Sequence, residues 1–162
     1  MIESKWVFRK ADFDDIYAIR KKVFIDDLGL TEDVHFDEFD QRSLHVLLSE
    51  GGTYLATGRL YENEGKFFIG GIAVLPEARN KGLGDLLVRL LLNKAFELLA
   101  NEVYVYARQE SVMFYETLNF EGVGETRDME LGDTRIVMKV TAQNSPLNSS
   151  CGGNCGGCSG CG

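Results

Sequence analysis

Residues that could bind an anion are concentrated in one turn, which lies between an apolar run and a long apolar helical pattern within residues 67–100. The turn contains the cations Arg79 and Lys81 and the glycines Gly82 and Gly84. The first N–H groups of a helix have no intrahelical partner, and the helix dipole is positive at that end, so both favour an anion. Glycine leaves the backbone open to a ligand because it has no Cβ. The pattern predicts a phosphate-binding turn, although the glycines could also serve only to build a tight strand-to-helix connection.

The four cysteines form a second group of residues that could do chemistry, and all of them lie in the last twelve residues. They are Cys151, Cys155, Cys158 and Cys161. Closely spaced thiolates could bind zinc, copper(I) or an iron–sulfur cluster. The same cysteines could instead be cyclised after translation, or could belong to an unstructured tail that oxidises without function. Residues 142–162 contain no charged residue and few aliphatic ones, so we predict a flexible tail there after a domain of residues 1–141.

The overall charge restricts the classes of partner. Seventeen basic and 25 acidic residues give a formal net charge of −8, which argues against nucleic-acid binding because that function needs a basic face. An acidic chain suits cationic substrates such as amines. The N-terminal residues lack the apolar core of a signal peptide, and no apolar run is long enough to cross a membrane. We therefore expect a cytoplasmic protein with no membrane partner.

The hydrophobic periodicity predicts the elements that position these residues. Strand patterns occupy residues 5–10, 43–49, 53–61, 66–74, 103–107, 120–125 and 135–140. Three helical patterns are present: the first follows a cap at Asp12 or Asp14, the second begins after Gly84, and the third covers residues 112–118. Short glycine turns join the second, third and fourth strands into an antiparallel meander. The order β-α-β-β-β-α-β-α-β-β predicts an α+β, or mixed α/β, domain with a mostly antiparallel twisted sheet of about seven strands flanked by helices.

Two motifs at this spacing resemble the GNAT superfamily of acetyl-CoA-dependent N-acetyltransferases. Arg79, Gly82 and Gly84 match the family's R/Q-x-x-G-x-G/A turn, and residues 114–120, FYETLNF, match its FYxxxGF pattern. Asn119 stands where glycine is usual, but asparagine tolerates a positive φ better than most residues. The resemblance covers about residues 5–140. Further positions resemble the ElaA-like branch of the family: Arg20, Val23, Phe24, residues 38–40, His45, residues 106–109 and residues 130–132.

The resemblance implies where acetyl-CoA would bind. The backbone of Ile72, Ala73 and Val74 would pair with the pantetheine arm, and one of these N–H groups would polarise the acetyl carbonyl. The pyrophosphate would be held by the turn, chiefly through the amides of residues 81–85. The residues of the turn are Arg79, Asn80, Lys81, Gly82, Leu83, Gly84 and Asp85. Arg108 stands where many relatives have an asparagine that contacts the cofactor.

The resemblance also implies the residues for proton transfer. Tyr115 would protonate the departing thiolate, a role that suits a neutral phenol, although it could also be a core aromatic. Some relatives use a glutamate on the central strand as the base, but the matching position here is near Phe68. Glu38 and Asp40 are candidate bases, as is a water relay, and both carboxylates could instead only shape the acceptor entrance. His45 lies in a strand pattern, which favours a structural role.

The resulting hypothesis is an acetyl-CoA-dependent N-acetyltransferase. It would acetylate a primary amine of a small molecule or peptide by direct attack in a ternary complex, because residues 1–150 contain no cysteine to carry an acetyl group. The acidic segment 32–40 favours a positively charged amine. The alternative is a CoA-binding or carrier protein whose cysteine tail binds metal or is modified. Either could be a monomer or a homodimer.

Overall fold

A computed structural model describes residues 1–8, 12–30, 37–129 and 133–151 of the chain. Seven strands are formed by these residues: β1 Ile2–Val7, β2 Leu44–Glu50, β3 Thr53–Asn63, β4 Lys66–Val74, β5 Glu102–Ala107, β6 Glu121–Asp128 and β7 Thr134–Thr141. The helices are α1 Asp14–Arg20, which continues as a π-helical segment Lys21–Asp27, α2 Leu83–Glu97 and α3 Val112–Thr117. Short 3-10 segments occupy Asp40–Arg42, Pro76–Ala78, Gln109–Ser111 and Pro146–Cys151. The predicted order of elements is confirmed.

All strands belong to one sheet, whose order is β1-β2-β3-β4-β5-β7-β6. Every neighbouring pair is antiparallel except β4 and β5, which are parallel. The meander of β2, β3 and β4 is therefore present, and β7 lies between β5 and β6. The predicted α+β fold with a mostly antiparallel seven-stranded sheet is confirmed.

The parallel strands β4 and β5 separate part-way along their length. Their register pairs run only from Phe67 with Val103 to Ile69 with Val105, whereas β4 continues to Val74 and β5 to Ala107. On its other edge, β4 has one more residue than β3 between the pairs Arg59–Gly70 and Thr57–Ala73. Gly71 takes up the extra length with φ +57°. Such a bulge increases the local twist and bends the strand, so β4 turns away from β5 and leaves a cleft.

Helix α2 packs across the centre of the sheet, against β2, β3 and β4. Its apolar stripe recurs at the helical period, and the buried members are Leu83, Leu87, Val88, Leu91, Leu92 and Ala95. Gly58 on β3 permits close approach, because a Cβ there would lie 2.8 Å from Ile72 Cδ1 and 3.0 Å from Leu91 Cδ1. This packing fixes the position of the helix start relative to the end of β4.

The first strand differs from its predicted position. It was expected over residues 5–10, but β1 spans Ile2–Val7, and residues 9–11 lie outside the described part of the chain. β1 pairs with β2 from Ile2–Glu50 to Val7–His45. The pairing partner determines the position of this edge strand, and the alternation of Trp6 and Phe8 alone does not.

Residues 142–148 pack against the domain, although their composition led us to place the tail boundary at residue 142. The Ala142 N–H donates to Asn101 O at 2.9 Å, and Arg89 Nη1 donates to Pro146 O at 3.0 Å. Asn119 Nδ2 donates to Asn144 O at 3.0 Å, and Ser145 is buried. A segment too polar to fold alone is thus held by hydrogen bonds to an existing core. In the described part of the chain, no helix combines the length and apolar character needed to traverse a bilayer.

Candidate active site

The predicted anion-binding turn forms at the start of α2. Gly82 is the N-cap residue in the left-handed region, with φ +76°, and its carbonyl accepts the Leu86 N–H at 3.0 Å. Asn80 also has a positive φ, +65°. The amides of Leu83, Gly84 and Asp85 lie in the first helical turn, where N–H groups have no intrahelical acceptor. Residues 82–85 therefore present the backbone donors that an anion needs.

Two ion pairs stabilise this turn. Arg79 Nη2 donates to Asp27 Oδ2 at 2.7 Å, and Arg79 Nε donates to Val74 O at 3.3 Å. Arg79 thereby joins the end of the π-helical segment to the end of β4. Asp85 Oδ2 accepts from Arg89 Nε at 2.7 Å, so the one carboxylate in the first turn of α2 is paired with a cation on the next turn.

A cavity of about 270 Å³ lies where β4 and β5 separate. Its lining includes Ile72, Arg108 and Tyr115, three of the residues predicted to bind the cofactor or to transfer a proton. Ala73 is buried and Val74 follows it at the end of β4, beside the turn. Glu38 is exposed in the turn before the 3-10 segment and is not among the described residues that line the cavity.

Tyr115 is buried at the cavity, with 6% of its surface exposed. Its ring packs edge-on against Phe114 and Phe120, with centroids 5.1 and 5.4 Å away. Burial raises the pKa of the Tyr115 phenol, and the nearby charge of Arg135 opposes this only in part. The phenol is therefore protonated across the physiological pH range and carries a proton that it can donate.

Asp40 lies in a buried ion network that sequence analysis did not anticipate. Its Oδ1 accepts from Arg20 Nη1 at 2.8 Å and from Arg59 Nη1 at 2.9 Å. Asp37 binds Arg59 through both of its carboxylate oxygens, one of them 2.7 Å from Nη2. Burial raises the pKa of Asp40, but the two guanidinium groups outweigh it and leave that pKa below its usual value. Such a carboxylate is a poor general base.

His45 is structural, as its strand pattern favoured. It is fully buried, and its Nε2 lies 2.8 Å from Asp40 O, a carbonyl that can only accept, so Nε2 donates. Its Nδ1 lies 3.5 Å from Arg20 Nη2 and accepts. Burial is the main cause that lowers the pKa of His45, to about 4. The imidazole is therefore neutral at physiological pH.

Aromatic rings connect the network to the far side of the cavity. Phe39 stacks on Tyr61 at 4.7 Å, Tyr61 on Phe68 at 5.4 Å, and Phe68 contacts Tyr106 at 5.1 Å. Arg59 lies over the ring of Tyr61, with its Cζ 4.8 Å from the centroid. Burial raises the pKa of Tyr61 to about 12, so this phenol is neutral as well. Phe68 thus serves in a stack and supplies no base.

The charged lining of the cavity is mainly cationic, although the chain as a whole is acidic. Among the described residues it comprises Arg20, Arg59, Arg108, Arg127, Arg135, Asp37 and Asp40. Of these, only Arg108 and Asp40 were predicted from the sequence to act in the site. Residues 127 and 135 lie on β6 and β7, and their convergence with residue 108 depends on the insertion of β7 beside β5. A local sequence pattern cannot predict that residues 108, 127 and 135 lie close together.

Comparison with known families decides the class of the protein. A sequence profile described as "Acetyltransferase (GNAT) family" matches residues 13–120, which include the α2 turn, the cavity strands and α3. The chain belongs to the GNAT acetyltransferase family. Membership confirms that the protein is an acyltransferase.

Individual GNAT relatives agree with this assignment. An uncharacterized N-acetyltransferase, YjcF of Bacillus subtilis, is 23% identical over 124 residues, which are 76% of this chain and 89% of YjcF. An acyl-CoA N-acyltransferase from Pseudomonas aeruginosa has a TM-score of 0.72 at 25% identity, covering 86% of this chain and 99% of the other. ElaA of Escherichia coli has a TM-score of 0.73 at 19% identity, covering 86% and 99%. The likeness to ElaA establishes a shared fold, and membership of its branch stays a prediction.

The residues predicted to bind a metal fall at the end of the GNAT chain. Cys155, Cys158 and Cys161 lie outside the described residues, as does the side chain of Cys151. Within the described residues, no group of three or more His, Cys, Asp or Glu side chains is placed to hold a metal ion. The metal prediction for the tail therefore stays a prediction.

Proposed function

We propose that the protein transfers the acetyl group of acetyl-CoA to a primary amine by direct attack in a ternary complex. The observation that carries this proposal is the position of one cavity, which is bordered by the open edge of β4, the end of β5 and Tyr115. The α2 turn follows β4 after the short 3-10 segment Pro76–Ala78, so one extended ligand could reach both places. Acetyl-CoA has that shape, with a pyrophosphate at one end and a thioester at the other.

The chain offers binding groups for the pyrophosphate, the pantetheine arm and the acetyl group of the cofactor. The amides of residues 81–85, at the positive end of the α2 dipole, would hold the pyrophosphate. The backbone of Ile72, Ala73 and Val74, beyond the last β4–β5 register pair, would pair with the pantetheine arm. A backbone N–H there would stabilise the negative charge that develops on the acetyl oxygen. Arg108, at the end of β5, would face the same part of the cofactor.

The reaction would proceed by direct attack of the amine nitrogen on the thioester carbonyl. The C–N bond forms, the tetrahedral intermediate collapses, and the C–S bond breaks with its electron pair on sulfur. Tyr115 would donate its proton to that sulfur and then recover a proton from solvent. The amine would lose its proton through water to Glu38, which is exposed and does not itself line the described cavity. Asp40 is unsuited because two guanidinium groups share its oxygen.

Calorimetry with acetyl-CoA and CoA tests the cofactor site. A Cβ on Gly84 would lie 3.5 Å from Phe114 Cζ, an ordinary contact, so Gly84→Ala should fold and bind normally. Gly84→Trp would fill the space over the turn, and we expect it to abolish binding while circular dichroism shows an intact fold. Release of free thiol in the presence of an amine then measures transfer. A folded wild-type protein that binds neither acetyl-CoA nor CoA would overturn the proposal.

A further inference from the structure

Three arginines from separate strands converge on one side of the cavity and form what we call the arginine wall: Arg108 after β5, Arg127 on β6 and Arg135 on β7. We infer that the arginine wall binds an anionic group of the acceptor, so that the acceptor is a small amine that also carries a carboxylate or a phosphate. The inference rests on the proposed acetyl transfer, because it names the acceptor class of that same cavity.

Arg127 and Arg135 are register partners on antiparallel strands. Like charges directly opposite one another destabilise a strand pair. Arg135 has a carboxylate partner, since its Nε donates to Asp133 Oδ2 at 2.6 Å. Arg127 lies over the ring of Tyr106, with Cζ 5.1 Å from the centroid and Nη1 3.5 Å from the Tyr106 hydroxyl. Its guanidinium group has no carboxylate partner in the described part of the chain, so the pair keeps a net positive charge that an anion would neutralise.

Arg108 adds a third positive charge at the inner end of the wall. Its side chain is half-buried, and within the described residues it makes no ion pair or side-chain hydrogen bond. The charged groups that act on it most are Arg135, Asp133 and Glu110, and burial followed by Arg135 lowers its pKa. A partly desolvated guanidinium without a partner is unfavourable. Its planar donors match the two oxygens of a carboxylate or phosphate, and a bound anion would therefore stabilise it.

The opposite side of the cavity does not offer unpaired positive charge to an anionic ligand. There Arg20 and Arg59 face Asp37 and Asp40, so two cations already share two carboxylates. The positive charge that remains for a ligand is concentrated at the arginine wall. The acidic segment 32–40 favours a positively charged amine, and residues 32–36 of it lie outside the described part of the chain. The arginine wall favours an acceptor that carries a negative group as well.

The wall lies close to the reacting groups. Arg135 is near enough to Tyr115 that its charge acts on the phenol, and Ile72 lines the same cavity. The volume of about 270 Å³ suits a small ligand, since pockets for drug-sized ligands start at roughly 300 Å³. A positive field also disfavours the ammonium form of a bound amine. An anion held at the wall would place the amine of the same molecule near the thioester.

Matched acceptors test the inference by activity. We would compare L-phenylalanine with its amide and with phenethylamine, and phosphoethanolamine with ethanolamine, by thiol release at saturating acetyl-CoA. The acid of each series should have a kcat/KM roughly ten- to a hundred-fold higher than its analogue without an anionic group, the range for a charge-assisted hydrogen bond. The amide has a less basic amine than the acid, so a preference for the acid cannot arise from amine basicity. The two series separate a carboxylate preference from a phosphate preference.

Variants of the wall test which residues are responsible. Arg127→Gln should raise the KM for the preferred acid by about ten-fold or more, while leaving kcat/KM for the analogue without an anionic group within about two-fold. Arg108→Gln should raise the same KM. Lys139→Gln is the control, because it removes one cation from β7 at a half-buried position paired with Glu102. It should change neither value. If Arg108 instead contacts the cofactor, its variant will weaken binding of CoA in calorimetry without changing the preference among acceptors.

A binding measurement gives an answer that does not depend on turnover. With CoA saturating, N-acetyl-L-phenylalanine and its amide are titrated and followed by tyrosine fluorescence. The acid should bind at least about ten-fold more tightly, and Arg108→Gln should remove the difference. Equal binding of acid and amide, or faster turnover of the acceptors that lack an anionic group, would overturn the inference while leaving the acetyltransferase proposal standing. Failure to bind acetyl-CoA would instead overturn the proposed function itself.

Discussion

The guanidinium group of Arg20 lies so close to Gly71 that a Cβ on Gly71 would stand 2.8 Å from Arg20 Nη2. Gly71 is also the residue at which β4 bulges, with φ +57°. The bulge that opens the cavity and the buried network around Asp40 therefore depend on the same residue. A side chain at position 71 would have to displace Arg20 and adopt a strained backbone conformation.

Gly71→Ala should lower the free energy of unfolding by about 2–4 kcal/mol, because it combines strain at positive φ with disturbance of a buried ion pair. Urea unfolding at pH 7 measures this. Gly70→Ala is the matched control, since a Cβ there would lie 3.8 Å from Arg59 Nε, in ordinary contact. The control should change stability by less than about 1 kcal/mol. Equal losses in the two variants would show that Arg20 moves aside without cost.

The order of elements could be predicted from the sequence because its signals are local. The apolar period of α2, the turn at Gly82 and the hairpin between β2 and β3 each depend on residues a few positions apart. The prediction of a glycine turn at the start of α2 needed only such a local pattern, and the structure forms a turn there. Anion binding by this turn stays a prediction.

The charged interior could not be predicted in the same way. Arg20 meets Asp40 across 20 residues, and Arg59 meets Asp40 across 19. The arginine wall requires β7 to lie between β5 and β6, a choice of pairing that no single strand encodes. The composition of residues 142–148 predicts a flexible segment, but it carries no information on the hydrogen bonds that hold these residues to the rest of the domain.

Tyr115→Phe should reduce kcat by about a hundred-fold or more if the phenol protonates the leaving thiolate, within the usual range for general acid catalysis. Phenylalanine keeps the ring packing against Phe114 and Phe120, so binding of acetyl-CoA should be unchanged in calorimetry. Tyr104→Phe is the matched control. Its hydroxyl donates to Glu102 at 2.8 Å, away from the described cavity lining, and its loss should leave kcat unchanged. An unaltered kcat in Tyr115→Phe would make that residue a packing aromatic.

Acid should destabilise the protein through His45, beginning at a pH above the titration of the carboxylates. Its folded pKa, about 4, lies below the ordinary value of 6.5, so the unfolded chain binds the extra proton between these two values. Stability therefore falls as the pH drops from 6.5 to 4, by about 3 kcal/mol at about 1.4 kcal/mol per unit. Urea unfolding at pH 7.0, 5.5 and 4.5 measures the slope. His45→Gln should flatten it, and an identical slope in both proteins would contradict the assignment.

The docked segment 142–148 can be separated experimentally from the residues that follow it. Truncation after Asn148 removes all four cysteines but keeps the bonds from Arg89 to Pro146 O and from Asn119 to Asn144 O. Truncation after Thr141 removes these bonds as well, and it exposes the surface on which the buried Ser145 packs. The shorter chain should lose about 1–3 kcal/mol of unfolding free energy, whereas the chain ending at Asn148 should match the full-length protein.

Arg89 also pairs with Asp85 in the first turn of α2, so the shorter chain should bind CoA more weakly as well. Two truncations of equal stability would mean that the docked segment contributes nothing to the domain.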